Sequence, residues 1–380
     1  MSEAIDEKYK NAVQVINSAG GTPVPVTDNT IAILKYIVEE KHLDFITAFK
    51  GRRSQTMEQL KESTGISEDE INDHVKALAK IGLVMNQPSS SGLMIFRLMP
   101  FVNVGVYEYT FMKKLEYNDW EKGLAKLYLK LNQESRGRML ANYDAIVKRF
   151  LPTMPPIDRT IPYTENFETG KEITIIVDEE LEAPKEKVIS TQRVEEIIQK
   201  FDDIAVGHCY CRHFRDLVGE SCKQTDMREN CFTFGKSARY TSEQGFARMI
   251  TKEEAIEILK KSEKDGLVHK AYHPNMDFKR EEDSICNCCS DCCGQARGIT
   301  SNFSNFISCV DHELCKGCGT CVEKCYSGAK ELNDDGKAET NEERCIGCGI
   351  CAAFCPEGAI SLVERQRIVR LAPPRSAYEQ

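Results

Sequence analysis

The sequence predicts a multidomain α+β chain. It reads as a helical N-terminal unit closing on a hairpin, a cysteine-rich mixed α/β middle, and a short C-terminal domain built on an internal repeat. Three observations carry this expectation. The chain has 380 residues, which is enough for about two or three domains. Its 18 cysteines all lie between Cys209 and Cys355, so the N-terminal part rests on other chemistry. A four-cysteine pattern starting at Cys315 recurs at Cys345.

The first domain is placed at residues 1–112. "IAILKYIVEE", from Ile31, carries a helical apolar stripe. Thr56 with Gln59, and Ser67 with Glu70, stand at capping-box spacing and mark two more helix starts. In the second of these, Ile71, Val75 and Leu78 share one helix face. "LVMNQ", "PSSSG" and "LMIFRL" read as strand, turn and strand. From about residue 28 to 105 this order resembles the winged helix-turn-helix of bacterial transcription regulators. A DNA-reading helix presents its first turn to the duplex. Here that stretch carries Glu68, Asp69, Glu70 and Asp73, which phosphates would repel. A structural or protein-docking role is therefore the expectation, and the net charge of −9 also argues against nucleic acid as partner.

Residues 113–170 are expected to be an amphipathic helix (119–150) and a linker interrupted by Pro152, Pro155, Pro156 and Pro162. The middle domain is placed at 171–308. "ITIIV" reads as a strand, and Val194, Ile197, Ile198 and Phe201 mark a helix face. A further helix opens at Thr251 with Glu254 and closes at Gly266. "HCYCRH" is taken as extended, with Cys209, Cys211 and His213 on one face and Cys222 and Cys231 following in a loop. Residues 309–364 form the C-terminal domain and 365–380 a tail.

"CKGCGTCVEKCYSGA" and "CIGCGICAAFCPEGA" are each C-x2-C-x2-C-x3-C. A [4Fe–4S] cube needs one thiolate per iron, and this spacing wraps three corners while sending the fourth cysteine to a second cube. The stretch resembles the bacterial-type 2[4Fe–4S] ferredoxin. The resemblance implies one cluster on Cys315, Cys318, Cys321 and Cys355, and another on Cys345, Cys348, Cys351 and Cys325. Tyr326 stands where the second motif has Pro356. Zinc ribbons, which use two separated C-x2-C pairs, fit two complete four-cysteine runs poorly. Low-potential electron transfer is the expected activity of such a domain.

Ten cysteines remain: Cys209, Cys211, Cys222, Cys231, Cys286, Cys288, Cys289, Cys292, Cys293 and Cys309. Cys209, Cys211, Cys222 and Cys231 suffice for one closed site. "CNCCSDCC" supplies enough thiolates for another, with Cys309 as a further candidate; its adjacent cysteines should diverge. A third iron–sulfur cluster leads, ahead of structural zinc and of a redox-active thiol site. His208, His213, His269 and His273 read as structural before they read as ligands. Residues 188–364 together resemble multidomain 4Fe–4S proteins of anaerobic bacteria and archaea. That resemblance implies an electron-transfer or accessory subunit of a larger oxidoreductase.

The function expected is an iron–sulfur electron-transfer protein with a redox partner protein or oxidoreductase subunits. The alternatives are a reductase acting on a small substrate at a middle-domain cluster, and a redox-sensing winged-helix regulator. The winged-helix unit is expected to dock that redox partner or to mediate self-association. The N-terminus has no basic-then-apolar leader pattern and no apolar run has membrane length, so a cytoplasmic protein is expected. No phosphate-loop or dinucleotide fingerprint supports ATP or NAD.

Overall fold

The computed structural model describes residues 2–19, 23–89, 91–176 and 193–379. The chain falls into two compact units. One comprises Met1–Ala141, Gly207–Ser221 and Ala238–Arg248; the other comprises Asn142–Val206, Cys222–Ser237 and Met249–Gln380. The division thus comes before the proline-rich stretch, and it places the ferredoxin-like repeat and most middle cysteines in one body.

In the first unit, helices Asp28–Ile37, Met57–Thr64 and Glu68–Ala79 precede an antiparallel hairpin of Val84–Pro88 and Met94–Leu98. Ser54–Gln55 adds a third strand against Met94–Leu98. Both capping boxes form as the spacing predicts: Thr56 and Ser67 each accept from the backbone N–H three residues on, and Gln59 and Glu70 accept in return. Ile33, Leu34, Leu60, Ile71, Val75 and Leu78 share one core. Each such fully buried side chain contributes roughly 1.5–3 kcal/mol. Helix Asp119–Ala141 follows, shorter than the expected 119–150 because Tyr143–Ala145 and a wider turn at Ile146–Phe150 replace its end.

In the second unit a sheet runs, in hydrogen-bonded order, Ile175–Ile176, Ile360–Leu371, Thr300–Val310, Asp158–Ile161, Val268–Tyr272, Ser284–Cys288, Glu229–Phe234 and the first three residues of Ile204–His208. Helices Val194–Lys200 and Lys252–Lys264 form as expected, the second capped by Thr251 and ended near Gly266 at φ +67°. Residues 190–192, at the expected start of the first, lie outside the described residues, as does Val177.

Several expectations are corrected here. The proline-rich stretch is not only a linker: Asp158–Ile161 is a buried strand. Residues 365–371 are not a tail but continue the strand Ile360–Leu371, paired with Thr300–Val310. "HCYCRH" is not extended. Its strand stops at His208 and helix Tyr210–Leu217 begins, because Phe214 and Leu217 bury in the first unit's core with Tyr210 packed against it. Cys231 is not in a loop but within the strand Glu229–Phe234.

Candidate metal centre

The repeat builds two cysteine sets from its own turns. Gly317 and Gly347 have φ of +70° and +65°, a conformation open to glycine at little cost. A Cβ on Gly317 would stand 2.1 Å from the Gly336 carbonyl oxygen, and one on Gly347 would stand 2.2 Å from that of Phe306. These glycines let each cysteine loop lie against neighbouring backbone. Cys315, Cys318, Cys321 and Cys355 line one pocket, with Gly319 and Ile360 on its wall. Burial first, and then the nearby Cys325 and Cys345 sulfurs, push the Cys348 and Cys351 thiols up, which puts these four cysteines together.

Backbone amides are aimed at the sulfurs. Ala338 N donates to Cys315 Sγ at 3.4 Å, Ala359 N to Cys355 Sγ at 3.3 Å and Ala329 N to Cys325 Sγ at 3.1 Å. Such donors suit anionic sulfur. The chemistry fits iron–sulfur clusters: four thiols around one cavity, N–H groups on the sulfurs, and turns that admit no side chain. Without a metal, burial pushes the Cys351 thiol up to about 12, with Lys330 opposing the rise.

Lys330 is buried and donates to Thr340 Oγ1 at 2.6 Å. Its charge acts on Cys321 of one set and on Cys351 of the other. In the second repeat the matching position is Ile360. The expected link segment also docks here: Asn166 Nδ2 donates to the carbonyls of Ala352 at 2.7 Å and Cys355 at 2.9 Å, and Tyr163 N donates to that of Cys348 at 3.0 Å. Sequence reading missed this strap. Its only local signal was a polar segment with a glycine turn.

The middle cysteines divide. Cys222 Sγ lies 3.7 Å from Cys289 Sγ, which lies 3.0 Å from Cys292 Sγ. All three are buried and within 4.8 Å of one another. Hydrogen bonds from Cys289, then Cys292, hold the Cys222 thiol far below the ordinary thiol range. Gln224 laces the two segments, its Oε1 accepting from Ser290 N at 2.9 Å and Ser290 Oγ at 3.0 Å, while Asp291 Oδ2 accepts from Lys223 N at 2.8 Å. Cys288 instead hydrogen-bonds Cys286 and Cys293. Strand alternation explains the split: Cys286 and Cys288 share one face of Ser284–Cys288, while Ile285 packs in a different core.

The rest of the expected set is placed elsewhere. Cys209 and Cys211 belong to the first unit, at the start of helix Tyr210–Leu217. Cys231 is the cross-strand neighbour of Cys286. Cys309 is exposed on its strand. The closed group of Cys209, Cys211, Cys222 and Cys231 is thus replaced, for Cys222, by partnership with Cys289 and Cys292. None of the cysteines is in a disulfide. Three of the histidines have structural partners: His213 Nδ1 lies 3.2 Å from the Phe111 carbonyl, His269 Nδ1 2.6 Å from Asn287 Oδ1, and His273 Nδ1 2.7 Å from the Arg280 carbonyl. The His208 ring packs against that of His213, 4.5 Å between centroids.

Residues 314–360 match the family described as a 4Fe-4S dicluster domain. That stretch is a ferredoxin-type iron–sulfur domain. Over 33 residues the chain is 52% identical to a probable ferredoxin of Methanosarcina thermophila, a match covering 9% of this chain and 57% of that protein. The chain thus spans little more than half the length of that curated relative. No solved structure matches the chain. The triad of Cys222, Cys289 and Cys292 is compatible with a further metal site. Among the described residues, no helix is long and apolar enough to cross a membrane.

Proposed function

We propose that the protein is an iron–sulfur electron-transfer component of an oxidoreductase system, handing low-potential electrons to a partner redox protein. Its two [4Fe–4S] clusters are held by Cys315, Cys318, Cys321 and Cys355, and by Cys325, Cys345, Cys348 and Cys351; the middle cysteines hold a further metal centre. The observation that carries this reading is the gathering of these eight thiols into two sets of four. When bound, each cluster supplies reversible one-electron chemistry. The chain's residues hold it in place, aim N–H groups at its thiolates and exclude water.

The first unit, with its winged-helix order, serves as the docking module. The carboxylates of Glu68, Asp69 and Glu70 at the head of Glu68–Ala79 disfavour a nucleic-acid role.

The test is iron and sulfide analysis of anaerobically purified protein, with EPR after reduction. At least about eight irons per chain are expected, with matching sulfide. A chain carrying zinc alone, without inorganic sulfide, overturns the proposal. Lys330→Met should lower the reduction potentials by roughly 50 mV, because a buried positive charge that stabilises added electrons is lost. Potentiometric EPR titration reads this shift, and unchanged potentials remove Lys330 from the account.

A further inference from the structure

Five cysteines in "CNCCSDCC" are more than one site can use, and their side chains leave in two directions. One direction leads to Cys222. A zinc ion bound tetrahedrally by thiolates at ~2.3 Å sets any two of those sulfurs about 3.8 Å apart. The separations of 3.7 Å for Cys222–Cys289 and 3.0 Å for Cys289–Cys292 are of that order. Among the described residues, only this triad brings three such ligand atoms within 4.8 Å of one another.

The other direction leads to Cys288, with Cys286 and Cys293. Cys286 and Cys288 share one face of their strand, and Cys288 hydrogen-bonds both Cys286 and Cys293. The group has a cation beside it: Lys270 stands opposite Cys286 on the neighbouring strand and is fully buried. Lys270 Nζ also lies 5.4 Å from the centre of the Tyr326 ring. The Tyr326 hydroxyl points at Cys293 Sγ from 3.9 Å. Tyr326 follows Cys325 directly in the chain and replaces the proline of the second repeat. Its departure from the repeat therefore has a physical use: a proline there could not reach the middle cysteines. Cys288 and Cys293, like Cys222, Cys289 and Cys292, share one buried cluster with Cys315, Cys321, Cys351 and Cys355, and Tyr326 packs against it.

We propose that the run serves two centres: Cys222, Cys289 and Cys292 hold a single zinc ion, and Cys286, Cys288 and Cys293 hold an iron–sulfur cluster facing the Cys325 set across Tyr326. The second centre is placed to exchange single electrons with that set, one cluster oxidised as the other is reduced, with no bond made or broken. Lys270 offsets the negative charge that three thiolates bring into a buried site. This rests on the electron-transfer reading above.

The experiment is metal analysis and EPR on the full-length, anaerobically purified chain and its variants. Cys289→Ser should lose about one zinc and keep its iron. Cys288→Ser and Cys293→Ser should each lose about three to four irons and keep the zinc. The reduced-ferredoxin EPR signal serves as the folding control. If Cys288→Ser fails that control, Cys286→Ser, at a half-buried position, takes its place. Joint loss of the same metal in the Cys289 and Cys288 variants, or unchanged iron in both the Cys288 and Cys293 variants, overturns the two-centre assignment. Absence of ferredoxin iron in the unmodified chain would instead overturn the underlying electron-transfer reading.

Discussion

Lys270→Met should lower the anaerobic thermal midpoint of the protein by roughly 10 °C, the counterpart of about 3–5 kcal/mol. Lys270 and Asp158 have no solvent exposure in their side chains, and Nζ lies 3.1 Å from Asp158 Oδ2. The ammonium also donates to Gln295 Oε1 at 3.2 Å and to Asn302 Oδ1. It thereby ties the strand Val268–Tyr272 across Asp158–Ile161 to Thr300–Val310. Burial alone works against the charge, but the Asp158 carboxylate and the Cys288 and Cys293 sulfurs outweigh it, and its pKa stands above the ordinary lysine value. Removing only the lysine strands a carboxylate in a dry interior, which costs far more than the pair itself contributes. Adding Asp158→Asn to Lys270→Met should therefore recover most of the loss. A double variant no more stable than the single one would show that packing, not charge, sets the effect.

The same pair explains what could and could not be read from the sequence. The ferredoxin repeat was legible because cluster geometry fixes cysteine spacing locally. The capping boxes were legible because their bonds span three residues. Asp158–Ile161 was hidden because "DRTI" between prolines carries the polar signature of a loop. Its burial depends on partners far away in sequence: Lys270 for Asp158, and Glu282 for Arg159. Helix Tyr210–Leu217 was hidden for another reason. A β-branched run leads into it, and its apolar positions span only two turns. The division of "CNCCSDCC" was half legible. Divergence of adjacent cysteines follows from backbone geometry, but the choice of Cys222 as partner depends on a loop held by Gln224, which no local pattern marks.

Gly347→Ala should cost the protein the cluster of Cys325, Cys345, Cys348 and Cys351, with iron falling by about four per chain while the Cys315 set keeps its own. The added Cβ would sit 2.2 Å from the Phe306 carbonyl oxygen and 2.7 Å from Ser304 Oγ. Neither neighbour can give way cheaply. Ser304 Oγ donates to the carbonyls of Phe306 at 2.8 Å and Ile346 at 2.9 Å. Between Ser304 and Phe306 the pairing with Ile360–Leu371 shifts register. Such a bulge re-aims backbone groups, and the loop carrying Cys345 and Cys348 packs against it. Relief requires moving the strand or the cysteine loop, and either displaces thiolates. Gly336→Ala isolates the backbone cost. Its φ of +69° carries the same left-handed penalty, but its Cβ would meet nothing within 4 Å. It should cost only about 1–2 kcal/mol and no iron. Gly317→Ala, whose Cβ would stand 2.1 Å from the Gly336 carbonyl oxygen, should give the mirror result and lose the other cluster. Equal iron in the Gly347 and Gly336 variants would mean that the close approach at Phe306 does not hold the second cysteine set in place.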